Sequence, residues 1–353
     1  MARILLGTSG WSYDEWVGPV YRSRDEPKLR RYSIFFETAE IDSTFYSYPR
    51  EEVVRSMARS VPSGFVFTAK APHEVTHRRA LDVGAGAVEA MDRFLRVMKP
   101  MNELGMLGCI LLQLPPSMGL NLDRLERFLQ GIDTEFRYAV EFRHPSWLRD
   151  DVFEMLRKYH VAYTVVDEPL LPPVVEVTAD FSYVRWHGRG LDPWYNYLYS
   201  DGELRPWIPR VRRLSEGVKT VYGYFNNHFH GYAVYNCIRV LEMLGLAEEK
   251  HRKLKTQIEN YFTMAGISPD RPVELDEVEQ LLSTLSDQTR IVRAREIGDE
   301  QVKIARVTDN AVEAMVKEYH VEIDVEGRTI KHSCPDWQKG ADERRLCKHI
   351  NKL

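Results

Sequence analysis

The feature that most constrains this chain is an alternation repeated eight times: a short β-like apolar run, then a segment with helical spacing. The strand-like runs are Arg3–Thr8, Ala39–Phe45, Phe65–Lys70, Cys109–Leu114, Tyr138–Arg143, Val161–Asp167, Ser182–His187 and Val221–Asn226. Amphipathic segments lie between them at Lys28–Phe36, Glu51–Arg59, Leu122–Leu129, Asp151–Tyr159, Leu204–Leu214 and Tyr232–Leu244. The clearest stripe is Val88, Met91, Phe94, Leu95 and Met98. Asp150 is the expected N-cap of the fifth helix. Pro169, Pro172 and Pro173 break the chain between strands six and seven, where no helix is expected. Such a pattern fits an open doubly wound sheet or a closed (β/α)₈ barrel. The span from Arg3 to Asn226 suits the usual barrel length of about 250 residues, and no G-x-G-x-x-G follows the first strand. The expected class is therefore α/β, a (β/α)₈ TIM barrel, followed by a small α+β C-terminal region.

Parity within the strands sharpens the expectation. Val140 and Phe142 alternate with Ala139, Glu141 and Arg143, and Val184 and Trp186 alternate with Tyr183, Arg185 and His187. The face turned to the helices must be apolar, so the polar parity points inward. Its late members are Glu40, Asp42, Lys70, Gln113, Glu141, Arg143, Asp167, Arg185, His187 and Asn226. They gather at the C-terminal ends of the strands, where such barrels do their chemistry. Any one of them can simply bridge neighbouring strands, but burying the whole set without a ligand or water is costly.

Composition narrows the partners. With 353 residues, 44% hydrophobic and 28% charged, the chain is globular and long enough for two domains. A formal net charge of −4 confines any polyanion site to a local patch. No apolar run reaches the roughly 18 residues of a membrane span, and the N-terminal apolar stretch is too short for a signal peptide. Cys109 and Cys237 lie in apolar runs and read as buried thiols, so a reducing cytoplasm is expected.

Seven motifs occur in order. They are Gly7-Thr8-Ser9-Gly10-Trp11-Ser12-Tyr13; Glu40-Ile41-Asp42-Ser43-Thr44-Phe45-Tyr46; Phe65-Val66-Phe67-Thr68-Ala69-Lys70; Gln113-Leu114-Pro115-Pro116; Glu141-Phe142-Arg143-His144-Pro145-Ser146-Trp147; Arg185-Trp186-His187-Gly188; and Phe225-Asn226-Asn227-His228. Together they resemble the YecE-like family, a domain of unknown function (number 72), over about residues 1–246. The resemblance implies a TIM barrel similar to endonuclease IV-type barrels that act on DNA. Asp42 stands where the family usually reads Asn, adding a potential anionic ligand or merely exchanging one polar side chain for another.

After Leu246 the texture changes. Residues 247–315 read as a linker and helical/strand connector, with a basic stretch at Lys250, Arg252, Lys253 and Lys255 and a helix over Val273–Leu285. Residues 316–353 read as a separate module. There Tyr319, Val321, Ile323 and Val325 alternate with polar residues, Glu326-Gly327 turns, and Arg328–His332 returns as a hairpin. It delivers His332 and Cys334, and Cys347 and His349 follow as a second pair opening a helix, a pattern suited to tetrahedral Zn²⁺. The cluster resembles the SWIM-type zinc finger, Cys-x-Cys then Cys-x-His, with His332 in place of the first cysteine. The resemblance implies a structural Cys₂His₂ site and a DNA or protein partner. Lys331, Lys339, Arg344, Arg345, Lys348 and Lys352 are an alternative solvated face or a phosphate-contacting one.

Loop aromatics Trp11, Tyr13, Trp16, Tyr46, Tyr48, Trp147, Trp194, Tyr195, Tyr197 and Tyr199 offer faces for bases or sugars, although Trp11 and Trp147 also suit loop packing. His77-Arg78-Arg79, Arg189 and the Arg210/Arg212/Arg213 helix could track a backbone of phosphates. The expected catalytic set is Glu40, Asp42, Lys70, Glu141, Asp167, Arg185 and His187, with Trp11, Tyr13, Tyr46, Arg143, Asn226, Asn227 and His228 contacting substrate. That set suggests metal-assisted phosphodiester hydrolysis of DNA in a repair context, with a carboxylate-held Mg²⁺ or Mn²⁺ at the mouth. The alternatives are a non-catalytic nucleic-acid or protein adaptor, and a barrel acting on a carbohydrate with Glu141 and Glu40 as its acid/base pair.

Overall fold

The computed structural model describes residues 2–190, 193–268, 290, 293, 294, 296–308, 311–324, 327, 329–340 and 346–350. Eight parallel strands form the barrel: β1 (Arg3–Thr8), β2 (Thr38–Ile41), β3 (Val66–Lys70), β4 (Leu107–Gln113), β5 (Tyr138–Glu141), β6 (Ala162–Asp167), β7 (Phe181–Trp186) and β8 (Thr220–Phe225). Around them run α1 (Lys28–Phe35), α2 (Glu51–Arg59), α3 (Ala87–Glu103), α4 (Leu122–Gly131), α5 (Asp150–Lys158), α6 (Asp201–Leu204), α7 (Trp207–Leu214) and α8 (Tyr232–Leu244). As expected from the prolines, no helix joins β6 to β7.

The sheet pairs in the order β1-β8-β7-β6-β5-β4-β3-β2, and the seam between β1 and β2 is nearly closed. Its upper end is held by the Ser9–Glu40 bridge, with the Gly10 N–H donating to the Glu40 carbonyl at 2.9 Å. Lower down, the phenol of Tyr32 on α1 spans the gap. It accepts from the Thr8 N–H at 2.9 Å and donates to the Thr38 carbonyl at 3.1 Å. Only glycine fits at position 7, because a Cβ there would lie 2.4 Å from the Thr38 oxygen.

Interior packing follows the alternation. Leu5, Cys109, Leu111, Ala139, Ala162, Phe181, Tyr183, Tyr222 and Tyr224 make one apolar cluster, while Leu6, Ala39, Ile41, Phe67, Ile110, Val140, Val165 and Val184 join the larger core shared with the helices. Several expected boundaries shift. β2 stops at Ile41, where Asp42 turns into helical backbone and Ser43–Phe45 form a 3₁₀ turn. Arg149, not Asp150, occupies the N-cap of α5, and Asp150 is its first helical residue. The expected helix Leu204–Leu214 is two helices parted at Pro206.

Residues expected as linker form α9 (Glu249–Ala265). His251, Leu254, Ile258 and Phe262 recur every three or four residues and are buried. His251 Nε2 bonds the Phe35 carbonyl at 2.7 Å, and Gln257 donates to the carbonyls of Gly18 and Pro19, which ties α9 to the barrel.

The chain divides into two compact units near residue 270. The second holds an antiparallel meander of β9 (Val302–Thr308), β10 (Ala311–Val316), β11 (Tyr319–Asp324) and β12 (Thr329–His332), followed by α10 (Pro335–Gly340). The expected hairpin is β11–β12, and β9 and β10 give the connector its strands. The core is small: Ile297, Val316, Val321, Cys334, Cys347 and Ile350. The expected helix over Val273–Leu285, the turn residue Glu326 and the basic residues Arg344, Arg345 and Lys352 lie outside the described residues. No described helix is long and apolar enough to cross a membrane.

Candidate functional site

Above the apolar layer of the barrel, the inward parity turns ionic. Arg185 on β7 lies at its centre. Its Nη2 donates to Glu40 Oε1 at 2.7 Å and its Nη1 to Glu141 Oε2 at 2.8 Å. Glu40 also accepts from Ser9 Oγ at 2.5 Å and Tyr183 OH at 2.6 Å. Glu141 Oε1 accepts from Arg143 Nε at 2.5 Å and lies 3.2 Å from His187 Nε2. Both glutamates are wholly buried. Burial alone would raise the Glu141 carboxyl, but Arg143, Arg185 and His187 hold it well below the usual range. His187 is pushed down to about 3, by burial first and then by Arg143, so its imidazole is neutral near pH 7. Arg143 Nη2 lies 2.9 Å from His187 Nε2, and Asn226 Nδ2 lies 3.1 Å from His187 Nδ1.

Toward the opening stand Asp42 and Lys70, one step past the paired residues Ile41 and Ala69. Asp42 accepts from Tyr13 OH at 3.3 Å, and burial followed by the Glu40 charge raises its carboxyl. Gly10, at φ +77°, lets the Tyr13 ring lie against the backbone, since a Cβ there would meet its hydroxyl at 2.5 Å. The Lys70 ammonium lies 4.0 Å above the Phe45 ring. It is pushed down to about 8, by burial first and then by Arg185. Beside it the rings of His73 and His77 stack 4.9 Å apart. His77 is pushed down to about 4 by burial, His73 and Lys70.

An aromatic column borders the same opening. Tyr13 stacks on His228 at 4.2 Å and 2°, and Tyr195 covers the other neighbour contact at 5.1 Å. His228 Nδ1 is buried without a hydrogen-bond partner. Tyr46 is 81% exposed nearby, with its ring 5.2 Å from Phe45.

Several expected site residues lie elsewhere. Asp167 shares its parity with Tyr163 and Val165 and faces the helices. It accepts from Trp207 Nε1 at 2.7 Å and from Arg189 at 3.0 and 3.1 Å. Glu168, one residue on, has the inward parity and bonds Arg143. Asn227 is buried against α8, donating to Asn236 Oδ1 and the Tyr197 carbonyl, each at 2.8 Å. Trp11 packs on Phe67, Trp16 donates to the His228 carbonyl, and Trp147 stacks on Phe142. Arg189 is bound to Asp167 and Glu203, and Arg79 to Glu74. Arg210 lies over the Trp207 ring.

The mouth does not fit the expected divalent cation. Both oxygens of Glu40 and of Glu141 already accept from cationic or hydroxyl donors, and Lys70, Arg143 and Arg185 would repel an incoming ion. The same geometry removes Glu141 and Glu40 as an acid/base pair for a glycosidic bond, because both are wholly buried and every one of their oxygens is already engaged by Arg185, Arg143, Ser9 or Tyr183.

Among the described residues, the group able to hold a metal is His332, Cys334, Cys347 and His349, whose ligand atoms lie within 4.8 Å of one another. The His332 Nδ1–H donates to the His320 carbonyl at 2.6 Å, which leaves Nε2 as a lone pair, buried and without a partner. That donor set fits a metal. The first pair leads into α10, and the second lies in a turn with Ile350, the last described residue, in 3₁₀ conformation directly after it.

Residues 5–260 match the family described as "Protein of unknown function DUF72". The UPF0759 protein YunF of Bacillus subtilis (strain 168) is 26% identical over 269 residues, covering 69% of this chain and 95% of YunF. The UPF0759 protein YecE of Escherichia coli (strain K12) is 32% identical over 145 residues, 41% of this chain and 50% of YecE. The crystal structure of a DUF72 family protein from Thermotoga maritima superposes with a TM-score of 0.63 at 34% identity, covering 69% of this chain and 99% of that one.

Proposed function

The chain belongs to the DUF72 family, and on that premise we propose that its barrel mouth is a metal-independent active site for a phosphate-bearing substrate, a DNA strand above all. The observation that carries this reading is a separation of charge by depth. The carboxylates Glu40 and Glu141 are sealed beneath Arg185, while the groups nearer the opening are Lys70, His73, His77 and Arg143. A ligand approaching from outside therefore meets cations and imidazoles, with the Asp42 carboxyl, raised by burial, standing among them. The Tyr13–His228–Tyr195 column beside them offers a ring face to a base.

Within this reading Lys70 and Arg143 neutralise the phosphate and the charge that develops on it. A water attacks phosphorus while the bond to the leaving oxygen breaks; Asp42, its carboxyl raised by burial, gives that oxygen its proton and is restored by the proton the water loses, and the Tyr13 hydroxyl donates to Asp42. Glu141, Glu168 and His187 hold Arg143, Arg185 joins Glu141 to Glu40, and none of them touches substrate. The C-terminal donors His332, Cys334, Cys347 and His349 would hold Zn²⁺, which suits two thiolates and two imidazoles and shapes a small unit for contact with DNA or a protein partner.

Labelled single-stranded, duplex and damaged DNA incubated with EDTA, Mg²⁺ or Mn²⁺ tests the reading. Cleavage should persist in EDTA and vanish in Lys70→Met and Asp42→Asn. Cleavage that requires added Mg²⁺ or Mn²⁺ would refute the metal-independent site. Salt-sensitive binding without cleavage would make the protein an adaptor, and an absence of binding would leave a small polar substrate.

A further inference from the structure

We propose that Lys70 is a covalent nucleophile, whose Nζ condenses with an aldehyde or ketone carbonyl of a phosphate-bearing substrate to form an imine. The inference rests on the reading that the mouth takes such a substrate, and it names the reactive group of that substrate. Three observations converge on it.

First, Lys70 closes β3 with the inward parity of Thr68, whose hydroxyl bonds Tyr183 across the barrel at 2.8 Å. The amine therefore belongs to the interior opening, where a substrate group can reach it. Second, the neighbouring inward charges are compensated and Lys70 is not. Arg185 holds Glu40 and Glu141, and Arg143 holds Glu141 and Glu168. Among the described residues no carboxylate lies within ion-pair distance of Lys70, whose ammonium has only the Phe45 face. A lysine serving purely as a counter-ion would gain from a carboxylate partner. A lysine that must present a lone pair gains from an apolar face and neighbouring guanidiniums, which disfavour the protonated form. With the amine pushed down to about 8, roughly one molecule in ten is neutral at pH 7.

Third, imine formation needs an acid near the amine, and Asp42, in the turn that follows β2, accepts from the Tyr13 hydroxyl and is close enough for the Lys70 charge to act on its carboxyl. The steps balance without a redox partner. The Nζ lone pair attacks the carbonyl carbon, the carbonyl π pair moves to oxygen, and proton transfer from nitrogen to oxygen gives a carbinolamine. Asp42 then protonates the hydroxyl, the C–O bond breaks with loss of water, and the nitrogen lone pair forms C=N. Water and the resulting Asp42 carboxylate reverse the sequence to free the amine. Two sources share the carbonyl-plus-phosphate chemistry: the ring-opened sugar of a base-less nucleotide in DNA, and a free sugar phosphate.

Borohydride trapping of the full-length protein separates them. One arm uses an oligonucleotide with a single abasic site, a second glyceraldehyde 3-phosphate, and a third an intact oligonucleotide. Intact-mass and peptide analysis should find one reduced adduct on Lys70 in either of the first two arms. The third arm should stay blank. Lys70→Arg keeps the charge and should abolish the adduct without changing the melting temperature by more than a few degrees. No adduct above the Lys70→Arg background in the first two arms, or adducts spread over surface lysines, overturns the inference. An adduct with the sugar phosphate alone upholds Lys70 and overturns the DNA reading. Strand cleavage of intact DNA in EDTA, together with no adduct in the first two arms, overturns the Lys70 inference and leaves the DNA reading standing.

Discussion

Replacing Arg185 by methionine probes the ionic layer most directly. The side chain is wholly buried and bridges two wholly buried glutamates at 2.7 and 2.8 Å. At an effective dielectric of about 20, a pair of charges about 4 Å apart interacts by about 4 kcal/mol, and the cost of burying the guanidinium offsets part of two such pairs. Removing it leaves Glu40 with the Ser9 and Tyr183 hydroxyls alone, whereas Glu141 keeps Arg143. The expected loss is about 3–5 kcal/mol, the range for stripping one partner from a buried pair. Urea unfolding followed by tryptophan fluorescence measures it, because Trp16, Trp147, Trp186 and Trp207 are all buried in the barrel. Adding Glu40→Gln should recover part of the loss, with a coupling of at least about 1 kcal/mol between the two sites. Burial also shields the pair from counter-ions, so 1 M NaCl should leave the difference unchanged (roughly a 3 Å Debye length acts only on exposed charges). A loss below about 1 kcal/mol, additive double substitutions or strong salt dependence would refute the argument that this layer is a sealed, mutually compensating unit.

Three other outcomes are expected. Tyr32→Phe removes the hydroxyl that joins the Thr8 N–H to the Thr38 carbonyl across the β1–β2 seam and should cost about 1–3 kcal/mol in the same urea titration. Lys70→Met should stabilise the barrel at pH 7, because the ammonium is disfavoured when folded. Its folded value of about 8 lies below the 10.5 of an unperturbed lysine, so the unfolded chain holds more protons between them, and wild-type stability rises with pH across that window. The gap between Lys70→Met and wild type should therefore shrink from pH 7 to pH 10, and a widening gap would contradict the assignment. Metal analysis should find one Zn²⁺ per chain, and Cys347→Ser or His332→Ala should lose it together with the near-ultraviolet signal of Trp337, while barrel unfolding is unaffected.

How much of this was legible in the sequence varies with the physics behind each feature. The barrel was legible because its signal is redundant: eight alternations agree, and inward and outward faces must differ in polarity. The charged layer followed from the same parity, and it correctly joined Glu40, Glu141, Arg143, Arg185 and His187. Asp167 failed because the inward members of β6 before the rim, Ala162, Thr164 and Val166, are small or apolar. No polar contrast marked which face was which, and a one-residue slip exchanges Asp167 for Glu168. The helix α9 was obscured by its lysines and Arg252, although its buried stripe of His251, Leu254, Ile258 and Phe262 has helical spacing.

What no spacing rule could supply is the pairing of charges. A list of inward acids reads as a metal site until it is known that arginines on other strands already occupy their oxygens. Glu40 and Arg185 are separated by 145 residues and Glu141 and Arg185 by 44, so their contact depends on the closure of the barrel rather than on any local pattern. The same closure isolates Lys70: the turn after β2 contributes Asp42 and Phe45, but the arginines claim the glutamates. The chemistry of the mouth is thus set by which charge is left over after the interior has neutralised itself. That remainder is an amine on an aromatic face beside a carboxyl whose proton is held more tightly than usual.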